Sequence, residues 1–274
     1  MSYGIRFEDI RVVRTPAAEE LGYGSRTVCT GRPEYSLERL VVRARSAVPA
    51  RYYPAGRGVY FVESGELQAF SRDAGGEPSV VRLKSGCVFP VTAAALHGFL
   101  GGAGDSVLYF FSNRDRGECR TAETPAEATR AWRFLADDFP GRAIEGAGRT
   151  SDFREKYWGT IETIVDDDFA GKRIFLREGG QSSLEFHTHK VESYFLHSGK
   201  VRVGLRTGRA ENRSVILTAG QSFDVPPGLM HMRMALADSV IIEISTRDAD
   251  SDSHLVEDGM KYKHVDIDDP TART

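Results

Sequence analysis

The chain has 274 residues, 41% of them hydrophobic, with 36 basic side chains against 39 acidic ones and a formal net charge of -3. That length can bury one large core or two ordinary ones. The charges are scattered, with no basic stripe for nucleic acid and no acidic tail, so a small-molecule substrate is the expected partner. Charged residues interrupt the opening MSYGIRFEDIRVVR where a signal peptide needs an apolar stretch, and no window approaches a membrane span. A cytoplasmic protein without membrane contact is expected. Cys29, Cys87 and Cys119 lie far apart, which fits reduced thiols better than a zinc knuckle or a disulfide framework.

From the N-terminus, short β-branched and aromatic runs alternate with glycine turns: LERLVVRAR, RGVYFVESG, PSVVRLKSG and SVLYFFS. The spacing predicts an all-β barrel or sandwich. One segment then reads as a helix. In TAETPAEATRAWRFLADDFPGR, Thr124 can cap, Pro125 suits the first turn, and Ala128, Trp132, Leu135 and Phe139 form an apolar face before Pro140 and Gly141. The β-type runs resume with KRIFLREGG, VESYFLHSG, KVRVGLRTG, RSVILTAG and SVIIEIST, and a polar tail after Asp258 is expected to be poorly ordered.

The two sets of runs are related by a constant offset of 134 residues, read without a gap from Leu40 to Ser112. Arg43 pairs with Arg177, Tyr60 with Tyr194, Gly65 with Gly199, Gly86 with Gly220, Phe89 with Phe223 and His97 with His231. Two similar β domains are therefore expected, residues 1–118 and 151–274, joined by a helical linker at 119–150. The halves differ where chemistry is expected. Tyr53, Ala55 and Gly58 stand opposite His187, His189 and Glu192, so the fold does not itself require those histidines.

On a strand, side chains two apart share a face, which would direct His187 and His189 to one small volume. A third imidazole, His231, follows the Pro226, Pro227, Gly228 turn. Three imidazoles and a carboxylate suit one divalent ion, whether Zn, Fe, Mn or Ni. Gly180, His187, His189, Glu192 and Gly199, followed by Gly220, Pro226, Gly228 and His231, resemble the paired motifs of the cupin superfamily. The resemblance spans both halves and implies a bicupin, with two tandem double-stranded β-helix (jelly-roll) barrels, the first having lost most of its motif. It implies His187, His189, Glu192 and His231 as metal ligands. Only Lys190 and Val191 separate the second histidine from Glu192, so a turn or bulge must redirect that carboxylate.

The flanks YWGTIETIV and EISTRDADSDSHLVEDG are similar to those of mannose-6-phosphate isomerase-type cupins, with Arg247 in place of a proline. This similarity implies a sugar or sugar-phosphate isomerase using metal-assisted proton transfer. Glu185, which shares strand parity with His187, and Glu192 are the candidate bases. Tyr194 and Arg233 follow the parity of Glu192 and His231 into the pocket, and Arg177 is a further candidate for binding substrate. The alternatives are a metal-dependent cupin oxygenase and a non-catalytic carbohydrate-binding cupin. A homodimer is also expected, with the N-terminal domain as a structural partner.

Overall fold

The computed structural model describes residues 10, 12–72, 79–113, 119–121 and 152–265. The chain divides into two compact units, Ala17–Ser151 and a second made of Met1–Pro16 with Asp152–Thr274. The helix expected between Thr124 and Pro140 lies outside the described residues. The boundary expected at residue 1 is corrected: strand Val13–Arg14 pairs with Phe223 and Ser222 of the second unit. Val13 packs against that unit's core, and Arg14 Nη1 lies 2.6 Å from the Asp224 carboxylate.

In the first unit the described strands form a six-stranded and a five-stranded antiparallel sheet. Leu40 and Val62 of one share a buried cluster with Leu67, Val81 and Phe99 of the other, so the core lies between two sheets. In the second unit a single ten-stranded sheet does the same work. Its two long strands, Glu192–Arg206 and Met230–Thr246, pair along their length, with register shifts between Leu196 and Val201. Gly199 stands in this stretch with a φ of 87°, where a Cβ would come within 2.3 Å of the Asp238 carbonyl oxygen. Gly65, also at φ 87°, is confined in the same way by Asp105. Those turn glycines recur because only a residue without Cβ fits there.

The repeat holds at the level of strand register. Arg51 lies opposite His97, and Glu185 lies opposite His231. The gap-free offset is corrected in the last strand. Leu40 faces Leu108 and Ile174 faces Ile241, so the offset there falls to 133. Phe110 is consequently the counterpart of Glu243. The tail is corrected as far as residue 265, its remainder lying outside the described residues: His264 is buried, packs where a Cβ on Gly204 would stand, and bonds the Arg213 carbonyl at 3.2 Å.

His97 is fully buried, with Nδ1 2.9 Å from the Ala95 carbonyl and Nε2 3.2 Å from the Tyr60 hydroxyl. Burial, reinforced by Arg51, pushes its pKa down to about 3. An unfolded histidine titrates near 6.5, so the unfolded chain binds the extra proton first and stability falls as pH drops from about 6.5 towards 3. Hydrogen exchange of amides in strand Leu96–Gly101, corrected for intrinsic rates, will show this loss, at most about 1.4 kcal/mol per pH unit. His97→Gln will flatten the slope.

Candidate metal centre

Strand Leu184–His187 ends at His187, and the chain then bends through residues 188–191 before strand Glu192–Arg206 begins. Asp252 organises that bend. Its carboxylate accepts the backbone N–H groups of Thr188 at 2.8 Å, His189 at 3.1 Å and Lys190 at 2.8 Å, and it also accepts the Thr188 hydroxyl. With so many donors its pKa stays well below the usual carboxylate range, although burial opposes this. The strand alternation expected to carry His187 and His189 together stops at this bend. His187 is buried, while His189 is exposed to solvent and is not among the residues whose ligand atoms group with those of His187 and His231. The same bend turns Glu192 inward.

The inward residues meet in one buried group. Ligand atoms of Glu185, His187 and His231 lie within 4.8 Å of one another. The Glu192 carboxylate is 2.7 Å from His231 Nε2 and 3.7 Å from His187 Nε2. Both imidazoles have Nδ1 3.0 Å from a backbone carbonyl, of Asp252 for His187 and of Leu229 for His231. That arrangement places the ring proton on Nδ1 and presents Nε2 as a lone pair, the form in which histidine binds metals. His231 Nε2 is buried and makes no directed hydrogen bond despite the nearness of Glu192 Oε1. Two electron-rich atoms 2.7 Å apart need positive charge between them, a proton or a cation. Burial works against a proton on His231, but Glu192 outweighs it and raises the pKa. The donor set therefore fits a divalent ion, with His187, His231 and Glu192 as the residues that would hold it and Glu185 close beside them.

Sequence reasoning missed the charges around this group. Lys190 Nζ lies 2.9 Å from Glu192, 3.3 Å from Glu243 and 3.0 Å from Asp248. Lys172 pairs with Glu243 at 3.6 Å and with Asp248. Arg233 spans Glu243 at 3.0 Å and Glu185 at 3.2 Å. Burial alone would raise the pKa of Glu192 and of Glu243, yet the neighbouring cations hold both below their ordinary range. Asp248 is brought to about 2 in the same way, against burial, by Lys190 and Lys172. A lysine and a glutamate inside the apolar strands AGKRIFL and SVIIEIST are the signal that could have revealed Lys172 and Glu243.

Of the other expected residues, Tyr194 is fully buried and donates to Glu192 Oε1 at 2.6 Å. Arg177 is half exposed and pairs with Glu155 at 3.5 Å, outside the lining of the site. A cavity of about 290 Å³ opens onto Glu185, His187, Glu192, Arg233 and Lys190, with Arg154, paired with Asp152 at 3.4 Å, and the exposed Lys156 also in its lining.

The β-barrel around this group has the cupin fold, a jelly roll of antiparallel strands. Among solved structures the chain aligns with Bacillus subtilis oxalate decarboxylase, an enzyme with Mn(II) centres, at a TM-score of 0.66 and 15% identity, over 85% of this chain and 76% of that one. It also aligns with vicilin from Capsicum annuum at a TM-score of 0.66 and 15% identity, over 86% and 85%. At such identities the likeness is one of fold. In sequence it is 28% identical over 120 residues to the alginate biosynthesis protein AlgA of Pseudomonas aeruginosa, covering 43% of this chain and 23% of that protein. It is 25% identical over 112 residues to mannose-1-phosphate guanylyltransferase 2 of Escherichia coli O157:H7, covering 40% and 22%. The chain thus spans less than a quarter of the length of these curated relatives. No family model matches it.

Two outcomes separate this geometry from the HxH pattern. Purified His187→Ala and His231→Ala will lose bound metal in elemental analysis, whereas His189→Ala will retain it. Asp252→Ala, which releases the bend, will weaken metal binding by about 10- to 100-fold in titration with Mn(II). A third concerns the lysine. Lys190→Met leaves Glu192 without its ammonium partner and will cost about 3–5 kcal/mol of unfolding free energy in chelator-treated protein, measured by urea denaturation.

Proposed function

We propose that the C-terminal barrel is a metal-dependent enzyme acting on a sugar or sugar phosphate as an isomerase. The observation that carries this reading is the position of Glu185. It is a carboxylate only a quarter exposed, facing a sugar-sized cavity and grouped with two metal-competent imidazoles. A divalent ion there would supply Lewis acidity towards a carbonyl oxygen. Mn(II), present in the oxalate decarboxylase of the same fold, is the first ion to test.

The chain's own residues provide the rest. Arg233 holds one Glu185 oxygen at 3.2 Å and the Ser253 hydroxyl donates to the other at 3.2 Å. Glu185 is thereby oriented as a base able to take a proton from a carbon and return it to its neighbour. Tyr194 and Lys190 fix the Glu192 carboxylate, which leaves Glu185 as the acid or base with access to the cavity. Lys156, exposed in the cavity lining, favours a substrate with an anionic group. The named relative that is a mannose-1-phosphate guanylyltransferase supports a sugar phosphate as the class to screen first. Location in the cytoplasm and assembly as a homodimer belong to the same proposal.

The test is incubation of the Mn(II)-loaded protein with aldose and ketose phosphates in D₂O. Deuterium will enter at the carbon next to the carbonyl, and Glu185→Gln will lower kcat by about 100-fold or more with metal content intact. Turnover that stops when oxygen is removed would instead identify an oxygenase. A sugar phosphate that binds and is recovered without deuterium would identify a binding protein.

A further inference from the structure

The N-terminal barrel holds a cavity of its own, about 380 Å³, lined by Arg51, Arg26, Tyr23, Tyr53, Val48 and Pro49. Arg51 is 7% exposed, and its Nε and Nη2 atoms are buried without a hydrogen-bond partner. Among the described residues no carboxylate lies within ion-pair distance of it. Its neighbour on the cavity wall, Arg26, is already neutralised by buried Glu38 at 2.8 Å. Glu19, the carboxylate in the lining, is largely exposed and stands 3.9 Å from Arg26, so Arg51 is the buried guanidinium left without a carboxylate partner among the described residues. Burying an unpaired charge is costly, so the position demands an anion.

The register shows where this guanidinium stands. Arg51 faces His97 across the strand pair as Glu185 faces His231 in the other barrel. A carboxylate of the candidate metal group is replaced, at the corresponding place, by a built-in cation. Tyr53, where the other barrel has His187, stacks on Phe110 at 5.2 Å and lies 6.0 Å from His97. Nothing metal-competent gathers around His97 among the described residues.

We propose that the N-terminal barrel is a metal-independent binding site for a small organic monoanion, a carboxylate with an apolar or planar body. The chemistry selects that class. Nε and Nη2 form the side-on edge of a guanidinium, the planar fork that matches two carboxylate oxygens. A single free cation balances a monoanion and leaves a phosphate dianion half compensated. Tyr23, Val48 and Pro49 provide surface for the apolar body.

Calorimetric titration of the full chain with benzoate, benzamide and inorganic phosphate, in the presence of a chelator, tests this. Benzoate will bind one site per chain, and neutral benzamide of the same shape will bind at least about tenfold more weakly. That comparison needs no altered protein. Arg51→Met will abolish benzoate binding without lowering Tm, since the lost side chain had no partner. Arg51→Lys, which keeps the charge but not the fork, will weaken it. His231→Ala, in the other barrel, will leave it unchanged. The proposal is overturned if benzoate gives no binding heat, if benzamide or phosphate binds as tightly, if Arg51→Met still binds, or if His231→Ala does not.

Discussion

The second barrel is organised around a carboxylate taken out of water. Glu192 is 1% exposed, and an ion so placed carries a penalty of several kcal/mol that only close, well-directed partners offset. Lys190 supplies the opposite charge, Tyr194 a hydroxyl donor, and His231 a ring nitrogen that itself requires positive charge. Each partner is also buried, so the demand passes outward. Lys190 draws in Glu243 and Asp248, Glu243 draws in Lys172 and Arg233, and Arg233 reaches Glu185 at the cavity wall. Glu185 thus sits at the outer end of a chain of ion pairs that begins at Glu192. Removing a central member strands the others, whereas the exposed pair of Arg177 with Glu155 contributes little.

The first barrel shows what the same interior looks like without that carboxylate. Gly58 stands in place of Glu192, and a Cβ there would come within 2.4 Å of the Phe110 ring. Phe110 in turn occupies the position of Glu243, and Phe99 that of Arg233. The substitutions go together: once an aromatic ring fills the site of the second acid, the first has neither room nor partner. Tyr60 survives in both barrels because its phenol suits either setting. Among the described residues its hydroxyl meets His97 Nε2 at 3.2 Å rather than a carboxylate, and its ring packs on Phe110 with centroids 4.3 Å apart.

Much of the second site was legible because glycine turns and apolar runs fix strand register, and register fixes which residues face inward. His187, Glu192, Tyr194, His231 and Arg233 follow from that rule, with the bend before Glu192 required by the short spacing after His189. His189 itself did not follow. Parity holds only along a continuous strand, and the chain leaves its strand at His187 because Asp252, more than sixty residues later, gathers three successive backbone N–H groups. A contact of that range leaves no local mark. The shift of the repeat to an offset of 133 was hidden for a similar reason, since a one-residue change within apolar strands preserves hydrophobicity while exchanging which residue points inward. Here it decides that Phe110, rather than Tyr109, matches Glu243.

The electrostatic balance of the two interiors connects them. Around the second site four carboxylates, Glu185, Glu192, Glu243 and Asp248, face three cations, Lys172, Lys190 and Arg233, which leaves one negative charge with both imidazoles neutral. A divalent ion would reverse that to one positive charge. In the first unit Glu38 and the exposed Glu19 both stand beside Arg26, and the buried Arg51 is left without a carboxylate partner among the described residues. A low-dielectric cavity with a single positive charge favours an anionic ligand over a neutral one of the same shape. On the two proposals the units would reach the same preference by different means. In one the charge is carried covalently on a strand. In the other it would depend on an ion that two imidazoles and a carboxylate are placed to hold.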